Sequence, residues 1–120
     1  MKFCWTTIMV RDIEASLKFY NEIIGLNVCS RFKAGPGVEI VFLGEGETKV
    51  ELIHNEQLID INFGKDISLG FEVDSLDDAM IFVKEKGIDI ISGPFQPNSH
   101  TKFFYVLDPD GLKVQFVQNM

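Results

Sequence analysis

The 120-residue sequence is short of cysteine, of signal-like segments and of long hydrophobic runs, and each shortage excludes a class of protein. Two cysteines, Cys4 and Cys29, cannot form a disulfide framework, so we expect reduced, packed thiols in a cytoplasmic protein. No apolar run approaches the roughly 18 to 20 residues that a membrane span needs. The chain reaches Arg11 without the apolar stretch of a signal peptide, so export is not expected.

Basic residues are also scarce, because 11 lysines and arginines stand against 18 aspartates and glutamates, a formal net charge of −7. This balance repels phosphate backbones, so neither nucleic acid nor a membrane is an expected partner. A neutral or cationic small molecule fits better. The length is typical of one domain, and we expect a single domain over residues 1–120.

The predicted elements follow the same order twice along the chain. Asp12 and Ser75 each cap an apolar helical stripe, and Gly25 and Gly87 end those helices. Residues 93–98 are predicted to form a loop, because glycine and proline begin that segment. Strands are predicted at 3–10, 26–32, 38–43 and 48–54, then at 67–73, 88–91, 102–107 and 112–118.

A shift of 63 residues superposes the two halves, placing Val10 on Val73 and Leu17 on Met80. The chain is therefore expected to contain two βαβββ modules, at about 1–56 and about 66–120. The segment 56–66 joins them. This order of strands and helices predicts an α+β protein.

Three segments resemble the vicinal oxygen chelate superfamily, which includes glyoxalase I, bleomycin-resistance proteins and extradiol dioxygenases. They are VRDIEASLKFY at 10–20 with IGL at 24–26, VEL at 50–52, and LDPDGLKVQF at 107–116. The resemblance covers essentially the whole chain. It implies that the two βαβββ modules form a curved mixed sheet, with the helices on the outer face and the site on the concave face.

The resemblance also implies where a metal would bind, because metal-using members take ligands from four strand positions. These positions fall on Trp5, Glu51, Ser68 and Gln115, and the repeat relates Trp5 to Ser68 and Glu51 to Gln115. Only Glu51 is a strong ligand, whereas a divalent ion generally takes three or more N, O or S donors. We therefore expect no metal cofactor, with an unusual divalent site at Glu51 as the alternative.

Strand alternation predicts the other residues of the site in the first module. Thr7 shares a face with Trp5, and His54, three residues after Glu51, lies on the opposite face. Trp5 could stack on a planar or cationic ligand. Glu51 could serve as a base or as the counter-ion of a cation, which makes it the candidate catalytic residue.

In the second module the same alternation places Ser68 and Glu72 on one face, together with Lys113 and Gln115. Glu72 and Lys113 are predicted to form an ion pair. Tyr105 lies on a strand that borders the site. The predicted ligand-binding residues of this module are therefore Ser68, Tyr105 and Gln115.

These residues favour a protein that binds a small planar, neutral-to-cationic organic ligand, by analogy with bleomycin-sequestering members. One alternative is a lyase or isomerase of the glyoxalase type, similar to lactoylglutathione lyase, with Glu51 as base or with a non-standard metal site. Another is an interaction or regulatory module with a vestigial cavity. A homodimer is expected, because a four-stranded module alone leaves sheet edges exposed. Pairing of modules within one chain or between chains stays open.

Overall fold

A computed structural model describes residues 1–46, 48–58 and 60–120. The chain divides into two compact units, Met1–Asn62 (unit 1) and Phe63–Met120 (unit 2). The boundary lies in the predicted link at 56–66, of which Ile59 is outside the described residues. The single domain over 1–120 stays a prediction.

Unit 1 forms a four-stranded sheet in the order β1-β4-β3-β2, in which β1 and β4 are parallel and the other pairs antiparallel. Its elements are β1 (Trp5–Met9), α1 (Ile13–Leu17), a π-helical segment (Lys18–Ile23), β2 (Val28–Gly35), β3 (Val38–Leu43) and β4 (Lys49–Asn55).

Unit 2 repeats this arrangement in the order β5-β8-β7-β6, with β5 and β8 parallel. Its elements are β5 (Ser68–Glu72), α2 (Leu76–Glu85), β6 (Ser92–Phe95), β7 (Thr101–Leu107) and β8 (Lys113–Asn119). The two βαβββ modules and the α+β class are thus confirmed.

The helices begin where the sequence predicts. The side chain of Asp12 accepts hydrogen bonds from the backbone N–H groups of Glu14 and Ala15, and the hydroxyl of Ser75 accepts one from Asp78. The first helix does not stay α-helical to its end. It widens into the π-helical segment, where the N–H of Ile24 donates to the carbonyl of Phe19 five residues earlier.

One face of each sheet is covered by its helix, since α1 contacts β4 and α2 contacts β8. The alternate strand residues on these faces are apolar and buried, so each unit has its own core. In unit 1 the buried residues include Ile8, Val41, Leu43, Val50 and Leu52 on the strands and Ile13, Leu17 and Tyr20 on the helical segments. In unit 2 they include Phe104, Val106, Val114 and Phe116 on the strands and Leu76 and Val83 on α2. The opposite sheet face, here called the open face, carries the candidate site residues.

The turn between β7 and β8 explains the DPDG motif. The N–H of Gly111 donates to the carbonyl of Asp108, which closes the predicted β-turn. Oδ1 of the buried Asp108 also accepts hydrogen bonds from the N–H groups of Asp110 and Leu112, each at 2.9 Å. Asp108 thereby holds the hairpin that positions β8.

Two predictions for the segment 88–98 are wrong. The sixth strand lies at Ser92–Phe95 rather than at 88–91, so the predicted loop at 93–98 begins with a strand. Proline is tolerated there because β6 is an edge strand. A Cβ on Gly93 would lie 3.0 Å from the carbonyl oxygen of Phe103, so the close approach requires glycine.

The cysteines are free but exposed rather than packed. Cys4 precedes β1, and Cys29 lies at an irregularity in the pairing of the edge strand β2, and both residues are exposed. Within the described residues, no helix combines the length and apolar character needed to cross a membrane.

Candidate functional site

The open face of unit 1 is built around Glu51 on the inner strand β4. Its strand partners are Thr7 on β1 and Phe42 on β3, so these three residues form one row across the sheet. Trp5 lies two residues before Thr7 and therefore points to the same face. The strand pairing thus brings together Trp5, Thr7 and Glu51, the three candidate residues of this unit.

Glu51 is a buried carboxylate, with 9% of its surface exposed. The hydroxyl of Thr7 donates a 2.6 Å hydrogen bond to its Oε1 atom. Buried acids are rare unless a donor or a cation compensates them. Thr7 therefore supplies part of the stabilisation that keeps a carboxylate on this face.

An aromatic row runs across the same face. The rings of Trp5 and Phe42 meet edge to face with centroids 5.2 Å apart, and Phe42 stacks with Phe32 at 6.5 Å. Trp5 is 46% exposed and Phe32 45%, although large apolar side chains are usually covered. Three exposed or half-exposed rings beside a carboxylate offer both a stacking surface and a negative charge.

The aromatic row includes two residues, Phe42 and Phe32, that no sequence motif indicates. Their place follows from register, because Phe42 pairs with Glu51 and Phe32 pairs with Ile40. Eleven phenylalanines in the chain conceal this pattern. Pairing the hairpin strands residue by residue from Glu51 would have revealed it.

The helix face of the same sheet holds a separate ionic cluster. Arg31 bridges Glu14 on α1 and Glu39 on β3. The hydrogen bond from the Arg31 guanidinium holds the pKa of the Glu39 carboxyl below its usual range, and the two carboxylates raise the pKa of Arg31. His54 is also on this face, with Nδ1 3.1 Å from the carbonyl oxygen of Val10. The prediction that His54 lies opposite Glu51 is confirmed.

The open face of unit 2 has an equivalent row, in which Gly70, Gln115 and Tyr105 are strand partners. The side-chain amide of Gln115 donates to the hydroxyl of Tyr105 at 3.2 Å. Ser68 pairs with Lys113 one step along the same face. The strand pairing thus brings together Ser68, Tyr105 and Gln115, the three candidate residues of unit 2.

Gly70 occupies the position in unit 2 that Thr7 occupies in unit 1. A Cβ on Gly70 would lie 3.1 Å from Oε1 of Gln115, closer than ordinary van der Waals contact. The missing side chain therefore gives the Gln115 amide its room.

The predicted ion pair between Glu72 and Lys113 is wrong. Lys113 pairs with Ser68 at one end of β5, whereas Glu72 pairs with Val117 at the other end. Four strand positions separate the two charges, about 13 Å. The Glu72 carboxylate is instead 3.4 Å from the amide nitrogen of Asn119.

The four positions at which metal-using members hold their ligands do not supply a suitable donor set. Trp5 offers only an indole N–H group, whereas Ser68 and Gln115 offer a neutral hydroxyl and a neutral amide oxygen rather than an imidazole or a carboxylate. Glu51 is the one carboxylate, and its Oε1 atom accepts the hydrogen bond from Thr7. Among the described residues, no three His, Cys, Asp or Glu side chains lie close enough together to hold a metal ion.

The fold and the sequence both match known proteins. A family model for the Glyoxalase/Bleomycin resistance protein/Dioxygenase superfamily matches residues 2–116. The chain belongs to this superfamily. Membership confirms the resemblance drawn from the three motifs, including the DPDG turn.

Relatives within the superfamily include lactoylglutathione lyase of Neisseria meningitidis. It is 30% identical over an alignment of 126 positions, which covers 98% of this chain and 91% of the relative. The trypanothione-dependent glyoxalase I of Leishmania major shares the fold with a TM-score of 0.84 and 22% identity, covering 98% of this chain and 86% of that one. An antibiotic-binding protein of Streptomyces, TnmS3, shares it with a TM-score of 0.76 and 18% identity, covering 100% and 97%. The fold alone does not decide function, so the site residues must.

Proposed function

We propose that this superfamily member binds a small planar, neutral-to-cationic organic molecule on the open face of unit 1. The observation that carries the proposal is the buried Glu51 carboxylate on the same sheet face as the exposed indole of Trp5. A planar cation would stack on the aromatic row and pair with the carboxylate. Both interactions gain strength when the ligand displaces water.

Charge supports this choice of ligand. The chain carries a net charge of −7, so its long-range field attracts cations within the screening length of about 8 Å at physiological salt. Among the described residues no ion pair involves Glu51, because the ion pairs of unit 1 join Arg31 or Lys33 to Glu14 or Glu39. The carboxylate is therefore available to a cationic ligand.

Trp5 is the only tryptophan in the chain, so its fluorescence reports binding at this face. We would titrate the protein with N-methylquinolinium, a planar cation, and with 2-naphthoate, a planar anion. We expect saturable quenching by N-methylquinolinium and much weaker quenching by 2-naphthoate. Tighter binding of 2-naphthoate would contradict the proposal.

Glu51→Gln keeps the shape of the side chain and removes its charge. A hydrogen bond to a charged group contributes about 1.5–3 kcal/mol, so we expect the affinity for N-methylquinolinium to fall at least about tenfold. Glu85→Gln is the matched control, because it makes the same change in net charge on the exposed surface of α2. Equal affinities of the two variants would overturn the role of Glu51.

A second candidate function is supported by the lactoylglutathione lyase relatives, which align over 98% of this chain. In that case Glu51 would act as the base. The test is formation of S-lactoylglutathione from methylglyoxal and glutathione, with and without added Zn²⁺ or Ni²⁺. Activity that Glu51→Gln abolishes would favour the lyase over the binding protein.

A further inference from the structure

The two units carry a lysine at matching places on their open faces. Lys49 lies two residues before Glu51 and pairs with Trp5, and Lys113 lies two residues before Gln115 and pairs with Ser68. In unit 1 the next residue on the same face is therefore a carboxylate. In unit 2 it is a neutral amide, so no carboxylate follows Lys113 on the open face of its own strand.

No neighbouring strand compensates Lys113 either. Glu72 lies at the far end of β5, and Leu107 is the partner of Lys113 on β7. Within the described part of unit 2, no carboxylate lies within ion-pair distance of Lys113. Its ammonium group lies 6.0 Å from the centre of the Tyr105 ring.

The hydroxyl of Tyr105 is a second hydrogen-bond donor on the same face as the Lys113 ammonium group. Its oxygen accepts the hydrogen bond from the Gln115 amide, so its own hydroxyl hydrogen remains to be donated. Gln115 is held in this orientation because Gly70 leaves room for its Oε1 atom. The Gln115 amide thus orients the Tyr105 hydroxyl, whose hydrogen can be donated to a ligand.

We propose that Lys113 and Tyr105, with Ser68 beside them, form a subsite for the carboxylate of an organic ligand. One oxygen would accept from the lysine ammonium and the other from the tyrosine hydroxyl, and charge-assisted bonds of this kind are the stronger ones. A single cation matches the single charge of a carboxylate. It matches the charge of about −2 on a phosphate monoester less well.

This subsite goes beyond the proposed function, because it lies on unit 2 and takes a group of opposite charge. Its test therefore uses a signal from unit 2. We would follow the backbone amide resonances of the full chain by NMR during titration with benzoate and with its neutral isostere benzamide. The variants are Lys113→Met and, as the matched control, Lys49→Met.

We expect benzoate to shift the amide resonances of Ser68, Tyr105 and Lys113 with saturation. Lys113→Met should weaken that binding about tenfold, while Lys49→Met leaves it unchanged. Tyr105→Phe should weaken it by a factor of about 3. Retained benzoate shifts together with absent Trp5 quenching would support the subsite while contradicting the proposed function.

Three results would overturn the subsite. The first is benzamide binding as tightly as benzoate. The second is an equal loss of benzoate affinity in Lys49→Met and Lys113→Met. The third is tighter binding of phenyl phosphate than of benzoate, which would contradict a carboxylate.

Discussion

The hydroxyl of Thr7 donates a 2.6 Å hydrogen bond to Oε1 of Glu51, its strand partner across β1 and β4. In unit 2 the position of Thr7 is taken by Gly70, and Gln115 finds its partner on the other side, at Tyr105. Each unit therefore has a polar side chain on the inner strand of its open face. Glu51 is hydrogen-bonded to the parallel neighbouring strand β1, and Gln115 to the antiparallel neighbouring strand β7. The Glu51 carboxylate can therefore still accept a hydrogen bond from a ligand. The Tyr105 hydroxyl, which accepts from Gln115, can still donate one.

The hydrogen bond from Thr7 to Glu51 should contribute measurably to the free energy of unfolding. Thr7→Val removes the donor from a buried carboxylate, and we expect the free energy of unfolding to fall by about 1.5–3 kcal/mol, as for other hydrogen bonds to a charged group. Thr7→Ser keeps the hydroxyl and should retain most of that free energy. Urea unfolding of the three proteins provides the measurement, and a loss in the Ser variant without a loss in the Val variant would show that the methyl group, not the hydrogen bond, matters.

The ionic cluster of Arg31, Glu14 and Glu39 on the helix face predicts that the stability of the fold depends on pH. The pKa of Glu39 is lower in the folded chain than its usual range because of Arg31, so the folded state favours the ionised carboxyl. That stabilisation is complete above the usual glutamate pKa and is lost as the pH falls through the folded-state pKa. We therefore expect Arg31→Met to destabilise the protein more at neutral pH than at about pH 3.

Urea unfolding at the two pH values tests this, with Lys84→Met on the exposed surface of α2 as the control for lost positive charge. A difference between wild type and Arg31→Met that stays constant with pH would contradict the linkage.

The donor set predicts the metal content. Purified protein should contain no stoichiometric Zn, Ni, Fe or Mn by elemental analysis, because three of the four ligand positions carry Trp5, Ser68 and Gln115. The triple variant Trp5→His, Ser68→His and Gln115→Glu should acquire metal affinity. One tightly bound metal ion per wild-type chain that is lost in Glu51→Ala would revive the metal-dependent alternative.

The exposed edges of the two sheets predict that the chain associates with a second copy of itself. Strands β1 and β2 are the edges of one sheet and β5 and β6 those of the other, and Phe32 on β2 and Phe95 on β6 are exposed. Unpaired edges with exposed apolar side chains favour pairing with another chain. We expect a homodimer of about twice 13.6 kDa by sedimentation. A 13.6 kDa species at micromolar concentration would contradict this prediction.

Local signals in the sequence determined most of the fold. Asp12 and Ser75 cap the helices through side-chain hydrogen bonds to residues two or three positions away, so the cap needs no distant contact. The alternation of apolar residues along β4 and β8 likewise places Glu51 and Gln115 on the face opposite the core. Because these patterns recur after 63 residues, the order of elements could be predicted. The superfamily was predicted from the resemblance of three motifs, which the family model confirms.

Strand pairing decided what the sequence did not show, since the register between strands is a non-local property. It placed β6 at Ser92–Phe95, separated Glu72 from Lys113, and aligned Phe42 with Glu51. Each of these relations joins residues that are distant in the chain, and no periodicity within one segment encodes them. The sequence therefore predicted which residues form the candidate site. Only the tertiary structure showed which of them are hydrogen-bonded to each other and which charges have no partner within the described residues.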